Sequence, residues 1–128
     1  MAATLTIGPR ERDVLHALMS RRLFVLGQDP FALARREGVG TDELADQFAA
    51  DMRLMVDVGW DEEDPRGAVE LTMPEAELAA TIRRLRRDAR RAPSEERREG
   101  EPEESDEERW ERFRAAVDVC EELLDLLG

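Results

Sequence analysis

The chain has no Lys, no Asn and no Tyr, and among its 128 residues there is one Cys and one His. With Cys120 alone, an intrachain disulfide or a thiol-ligated metal framework is excluded, and a reducing cytosol suits such a chain. His16 is the sole imidazole, whereas a metal site in a helical bundle draws on several converging groups. No apolar run approaches the ~20 residues a membrane span needs. The first residues lack the charged and apolar regions of a secretory signal, so cytoplasmic residence is the expectation. A phosphate-binding Gly-rich loop, a nucleophile elbow, a zinc motif and a nucleotide fingerprint are all missing. The expectation is therefore no enzyme: no catalytic residues, no cofactor and no metal.

What the sequence does contain is charge and short apolar repeats. Apolar residues make up 41% and charged residues 39%, a mixture that suits helices with one oily stripe and one solvated face. All nineteen basic residues are Arg. The formal charge of −12 is unevenly placed: residues 1–92 carry 17 acids against 14 Arg, and residues 93–128 carry 14 acids against 5 Arg. Such acidity opposes contact with phosphate backbones and anionic lipids, so nucleic acid and membrane are not expected partners.

Pro and Gly punctuate the helices. Gly8 and Pro9 read as an N-cap and first helical position, after which Val14, Leu15, Leu18, Met19, Leu23 and Leu26 recur at helical spacing to Gly27. Asp29 and Pro30 repeat the start signal for a short segment ending near Gly38, either a second helix or a bent continuation of the first. Thr41, with Asp42 and Glu43 behind it, opens a helix to Gly59 whose buried face reads Leu44, Phe48, Met52 and Met55, widened by Ala45, Ala49 and Val56. Asp61 to Gly67 reads as an acidic turn. Val69 to Leu71 alternates like a strand, with Leu5 to Ile7 the other strand candidate. Thr72 and Glu75 stand at capping-box spacing before a helix that buries Leu78, Ile82, Leu85 and Ala89 and ends at Pro93.

Residues 93–105 hold no large apolar side chain and read as a mobile acidic linker. Ser105 and Glu108 form a second capping box, and beyond it Trp110, Phe113, Val117, Cys120, Leu124 and Leu127 repeat as a coiled-coil seam does. At roughly 1.5–3 kcal/mol for each large apolar side chain buried, that seam demands a cover. Either the helix folds back onto the preceding ones, or it dimerises or takes a partner helix. These six residues are the candidate partner-binding set. The one basic patch is Arg83, Arg84, Arg86, Arg87, Arg90 and Arg91, which suits nucleic acid or another acidic partner, or a solvated helix end that favours the macrodipole. Cys120, on the apolar seam, reads as a small buried hydrophobe.

Two resemblances follow from these residues. Leu5, Thr6, Glu11, Arg12, Asp13 and Leu15, then Phe48, Asp51, Met52, Arg53, Leu54, Gly59 and Trp60, then Val69 to Pro74, resemble a family of short uncharacterised actinobacterial helical proteins. That resemblance covers residues 4–91 and implies no activity. Leu33, Ala34, Gly38, Val39 and Leu44, with Asp64, Pro65, Arg66, Val69, Leu71 and Thr72 as a wing, resemble MarR-like winged helix-turn-helix proteins. It implies a DNA-binding transcriptional regulator. The acids of residues 41–57, set against Arg53 alone, oppose DNA contact there.

The expected architecture is a mainly α, compact bundle of four to five helices with at most a short β-hairpin. It divides into a helical core over residues 1–92, a flexible acidic linker over 93–105 and an amphipathic C-terminal helix over 106–128. The expected function is a non-enzymatic protein-interaction or regulatory module, acting on a protein partner or by self-association through the C-terminal helix. The alternative is a winged-helix DNA-binding regulator.

Overall fold

Gly8, with extended backbone, and Pro9 open the first helix, α1 (Pro9–Gln28). Asp29 ends it and starts the next, α2 (Pro30–Glu37): its backbone N–H donates to the Val25 carbonyl and its carboxylate accepts from the Ala32 N–H. Two separate helices therefore stand where the sequence left open a bent one. Gly38 sits in the left-handed region at φ 69°, a conformation that costs glycine nothing. The chain reverses there into α3 (Thr41–Val58).

A computed structural model describes residues 5–58, 69–95 and 103–128 of the chain. The acidic turn expected at Asp61 to Gly67 lies outside the described residues. Strand β1 (Leu5–Ile7) pairs antiparallel with β2 (Val69–Leu71), Leu5 opposite Leu71 and Ile7 opposite Val69. Helix α4 (Glu75–Arg91) runs into a short 3-10 turn at Ala92–Ser94, and α5 (Asp106–Leu127) completes the chain. The described residues thus form a mainly helical bundle of five helices with one short two-stranded antiparallel sheet.

One main core joins Leu15 and Met19 of α1, Leu54 and Val58 of α3, Leu78, Ile82 and Leu85 of α4, and Phe113, Val119 and Leu123 of α5. Ile7 and Leu71 seal it from the sheet side. A smaller cluster of Leu33, Ala34 and Leu44 closes the α2–α3 corner against Val25 and Leu26. The buried line of α4 is the one expected, with Leu78, Ile82, Leu85 and Ala89 all inside.

Two other helices are turned from their expected faces. In α3 the buried residues are Leu44, Ala50, Asp51, Leu54, Met55 and Val58, while Phe48 is 42% and Val56 66% exposed. In α5 the buried line is Arg109, Phe113, Ala116, Val119, Cys120 and Leu123; Trp110 is 46% exposed, and Val117, Leu124 and Leu127 are half-buried. In both cases the turn brings one charged side chain inside, Asp51 and Arg109, and pushes an aromatic one out.

The start of α4 also differs from expectation. Pro74 is the N-cap and makes no side-chain cap bond. Thr72 instead binds Asp57 at the end of α3, its backbone N–H donating to Oδ2 at 3.0 Å. That bond ties the strand to the helix it follows. The second expected cap is present: Ser105 Oγ accepts from the Glu108 N–H at 3.1 Å and donates to its carboxylate.

The described ends of the acidic segment are anchored. Glu95 pairs with Arg21 and Arg36, Arg109 donates to the carbonyls of Ala92 and Glu95, and Arg112 forks onto Glu104. Residues 96–102 lie outside the described residues. Because the beginning of α5 meets the end of α4, and its last residues meet Pro74 and Glu75, the two helices run antiparallel.

Phe113 is the anchor of α5, with the guanidinium groups of Arg112, Arg109 and Arg21 at 4.3, 5.4 and 5.7 Å from its ring centre. Phe113→Ala is expected to cost about 3–5 kcal/mol, and Trp110→Ala within ~0.5 kcal/mol of nothing, measured by urea denaturation. Equal losses would mean that α5 presents its other face to the core.

Candidate functional site

Arg22 lies one and two turns along α1 from Met19 and Leu15, on the same buried line. Its side chain is 2% exposed, so every donor must find an acceptor inside the protein. Nε donates to Asp51 Oδ2 at 2.8 Å, Nη1 to Glu37 Oε1 at 2.6 Å and to Asp88 at 3.2 Å, and Nη2 to Gln47 at 3.0 Å and Glu37 at 3.3 Å. Asp51, 1% exposed, takes a second cation: Arg84 Nη2 donates to Oδ1 at 3.3 Å and to Thr81 Oγ1 at 3.1 Å. A single guanidinium of α1 thereby holds α2, α3 and α4.

Electrostatics follow the geometry. Burial alone would lower the Arg22 pKa, but the Glu37 hydrogen bond and the charges of Asp51 and Asp88 outweigh it and raise the pKa. Glu37 also feels burial, which would raise its pKa, yet the bond and charge of Arg22, helped by Arg84 and Arg87, hold it below the ordinary carboxylate range. Asp88 goes the other way, its burial pushing it up further than Arg22 pulls it down. The cluster is a structural joint, with its carboxylates committed to guanidinium groups.

The expected basic patch is divided by this joint. Arg84 turns inward to Asp51, and Arg86 and Arg91 are half-buried. Arg83, Arg87 and Arg90 are exposed, and Arg90 reaches across to Glu121 of α5 at 2.8 Å. The six seam residues are divided as well. Phe113 and Cys120 belong to the core, Val117 packs against it, and Trp110 stands in solvent at the far end of α5. Burial pushes the Cys120 thiol up to about 12, which keeps it protonated and unreactive at neutral pH. His16 is exposed on α1.

Leu124 and Leu127 have a different position. With Gly128 they form one wall of an open groove of about 520 Å³, whose other wall is the first half of α4: Pro74, Glu75, Ala76, Ala79 and Arg83. It exists because α4 buries Leu78 and Ile82 and turns small alanines toward the end of α5, where only half-buried leucines meet them. The wall is apolar at its floor and carries one charge of each sign on the α4 side. Reasoning from the sequence missed Glu75, Ala76 and Ala79, since an Ala-rich line opposite a Leu-rich one registers as neither core nor charged surface. The Arg22 joint had a visible signal, an Arg placed where the apolar line of α1 continues.

Comparison with protein-family models, with curated proteins and with solved structures finds no match to this chain.

Arg22→Met is expected to lose about 3–5 kcal/mol in thermal or urea unfolding, because it leaves buried carboxylates without their cation. A loss below ~1 kcal/mol would show that the joint is dispensable, the range of exposed ion pairs. The pH dependence separates its acids. Glu37, depressed in the fold, contributes stability above the ordinary carboxylate range that disappears as pH falls through its folded value. Asp88, raised in the fold, contributes stability below that range which is lost as pH rises through its folded value. Melting temperatures followed into acid should therefore fall less steeply for Glu37→Gln than for the wild type, and more steeply for Asp88→Asn. The reverse order would overturn these assignments.

Proposed function

We propose that this chain is a non-enzymatic protein-interaction module of the cytoplasm, and that the groove between α4 and the end of α5 is its docking surface. The observation that carries this reading is the groove itself. Leu124 and Leu127 stay half-buried there, facing Ala76 and Ala79 across a space large enough for side chains of a partner helix. Glu75 and Arg83 at its edge supply register, as charged rim positions do at protein interfaces.

Charge favours a protein over a nucleic acid as the partner. Helix α3 exposes Asp42, Glu43 and Asp46 against Arg53, and Arg53 is itself paired with Glu77 at 2.8 Å. A DNA backbone would meet net negative charge on that face. The non-enzymatic reading draws support from the Arg22 joint, where Glu37, Asp51 and Asp88 are held as counter-ions.

A photo-crosslinking residue placed at position 79 is expected to give discrete protein adducts in extract of the source cells. The same residue at exposed Arg10 on α1 serves as the comparison. Adducts equal in number and kind from both positions would defeat the docking assignment. Gel-shift titration at low salt against random duplex DNA is expected to give no complex, and a salt-sensitive complex would return the regulator reading.

A further inference from the structure

Glu75, Ala79 and Arg83 follow one another at four-residue intervals, so they lie along one side of α4, and all three line the groove. At the rise of an α-helix the line is ~12 Å long. Glu75 and Arg83 are both exposed and make no ion pair with each other or with any other described residue. They are placed symmetrically about Ala79 and bear opposite charges.

That arrangement is self-complementary in one orientation only. Two copies of such a helix packed antiparallel about a two-fold axis through position 79 put Glu75 of each against Arg83 of the other, so the pair forms twice. Parallel packing would set Glu75 against Glu75 and Arg83 against Arg83, which like charges oppose. The residue on the axis is Ala79, small enough to let the two backbones approach to the short end of the usual 8–10 Å helix spacing. Ala76, one turn away, is equally small.

We propose that the occupant of the groove is a second copy of this chain, its α4 lying antiparallel on the first across a two-fold axis at Ala79, with Leu124 and Leu127 walling the contact on either side. This rests on the reading of the groove as a docking surface. Net charge does not oppose it on this face. Helices α4 and α5 together carry nine Arg against eleven acids, close to balance in a chain of net charge −12. The helices that meet are thus far less acidic than the chain as a whole. The Arg90–Glu121 pair spans α4 and α5 farther along.

Sedimentation velocity and light scattering of the purified chain over two decades of concentration test the proposal. The wild type is expected to shift from monomer to dimer. Arg83→Glu and Glu75→Arg, each altering two symmetric contacts, are expected to weaken the dimer on the order of tenfold. The double variant, Glu75→Arg with Arg83→Glu, recreates both pairs with charges exchanged and is expected to recover most of the loss. Both positions are exposed, so circular dichroism should be unchanged, and melting should shift only slightly, by the cost of moving a cation to the start of α4. Losses that add instead of cancelling would overturn the two-fold pairing, as would a monomer at every concentration. A monomer whose position-79 crosslinker still captures a different protein would sink self-pairing and leave the docking surface standing. Absence of any adduct from position 79 would remove both.

Discussion

A guanidinium with five donors, sealed from water, can persist only where acceptors surround it, and Arg22 is placed where three other helices of the chain must supply them. Glu37 comes from α2, Asp51 and Gln47 from α3, and Asp88 from α4. Hydrophobic burial is indifferent to rotation of a helix about its axis when apolar residues lie on more than one side. A fork of hydrogen bonds is not. The joint therefore selects one rotation of α3 from several that the apolar pattern would allow, even though the net stability of a buried ion cluster is small beside the area it sits in. Its neighbour Arg21 reaches Glu95 and the ring of Phe113, so two consecutive residues of α1 hold different partners.

This explains which parts of the fold were legible in the sequence. Helix boundaries were, because they are written in local chemistry: Gly8 with Pro9, Asp29 with Pro30, Gly38 and Ser105 each act within a turn of themselves. The buried line of α4 was too, since its apolar residues follow one stripe and Arg fills the remainder. The faces of α3 and α5 were not. Apolar periodicity chose Phe48 and Met52 in one, Trp110 and Val117 in the other, whereas the fold chose lines containing Asp51 and Arg109. Both charged residues are satisfied by partners far away in sequence, Arg22 and Arg84 for Asp51 and the carbonyls of Ala92 and Glu95 for Arg109. A local pattern carries no trace of those partners.

The same choice shaped the surface. Each helix that turned a charge inward turned apolar area outward, which is why Phe48, Val56 and Trp110 are exposed in a chain rich enough in Arg and Glu to have covered itself. Scattered large side chains of this kind are ordinary on a protein surface. The α4–α5 groove differs from them, because it joins apolar groups from two helices into one concavity and sets charges of both signs along its rim. The candidate site was half legible for that reason: Leu124, Leu127 and Arg83 stood out as apolar or basic residues, and their meeting with Glu75, Ala76 and Ala79 depends on the antiparallel packing of α5 on α4.

That packing leads back to the acidic segment between the two helices. An antiparallel return requires the chain to double back from the end of α4, and the acids near that bend would repel one another if they were unpaired. Glu95 and Glu104 are instead drawn onto Arg21, Arg36 and Arg112, which fixes where the segment leaves α4 and where it enters α5. Arg109 then locks the first turn of α5 onto the 3-10 turn that follows α4, and the length of α5 beyond Phe113 sets Leu124 and Leu127 beside the start of α4. The groove is thus a consequence of where α5 is tethered. Its position depends on ion pairs at one end of the helix pair, while its apolar walls lie at the other.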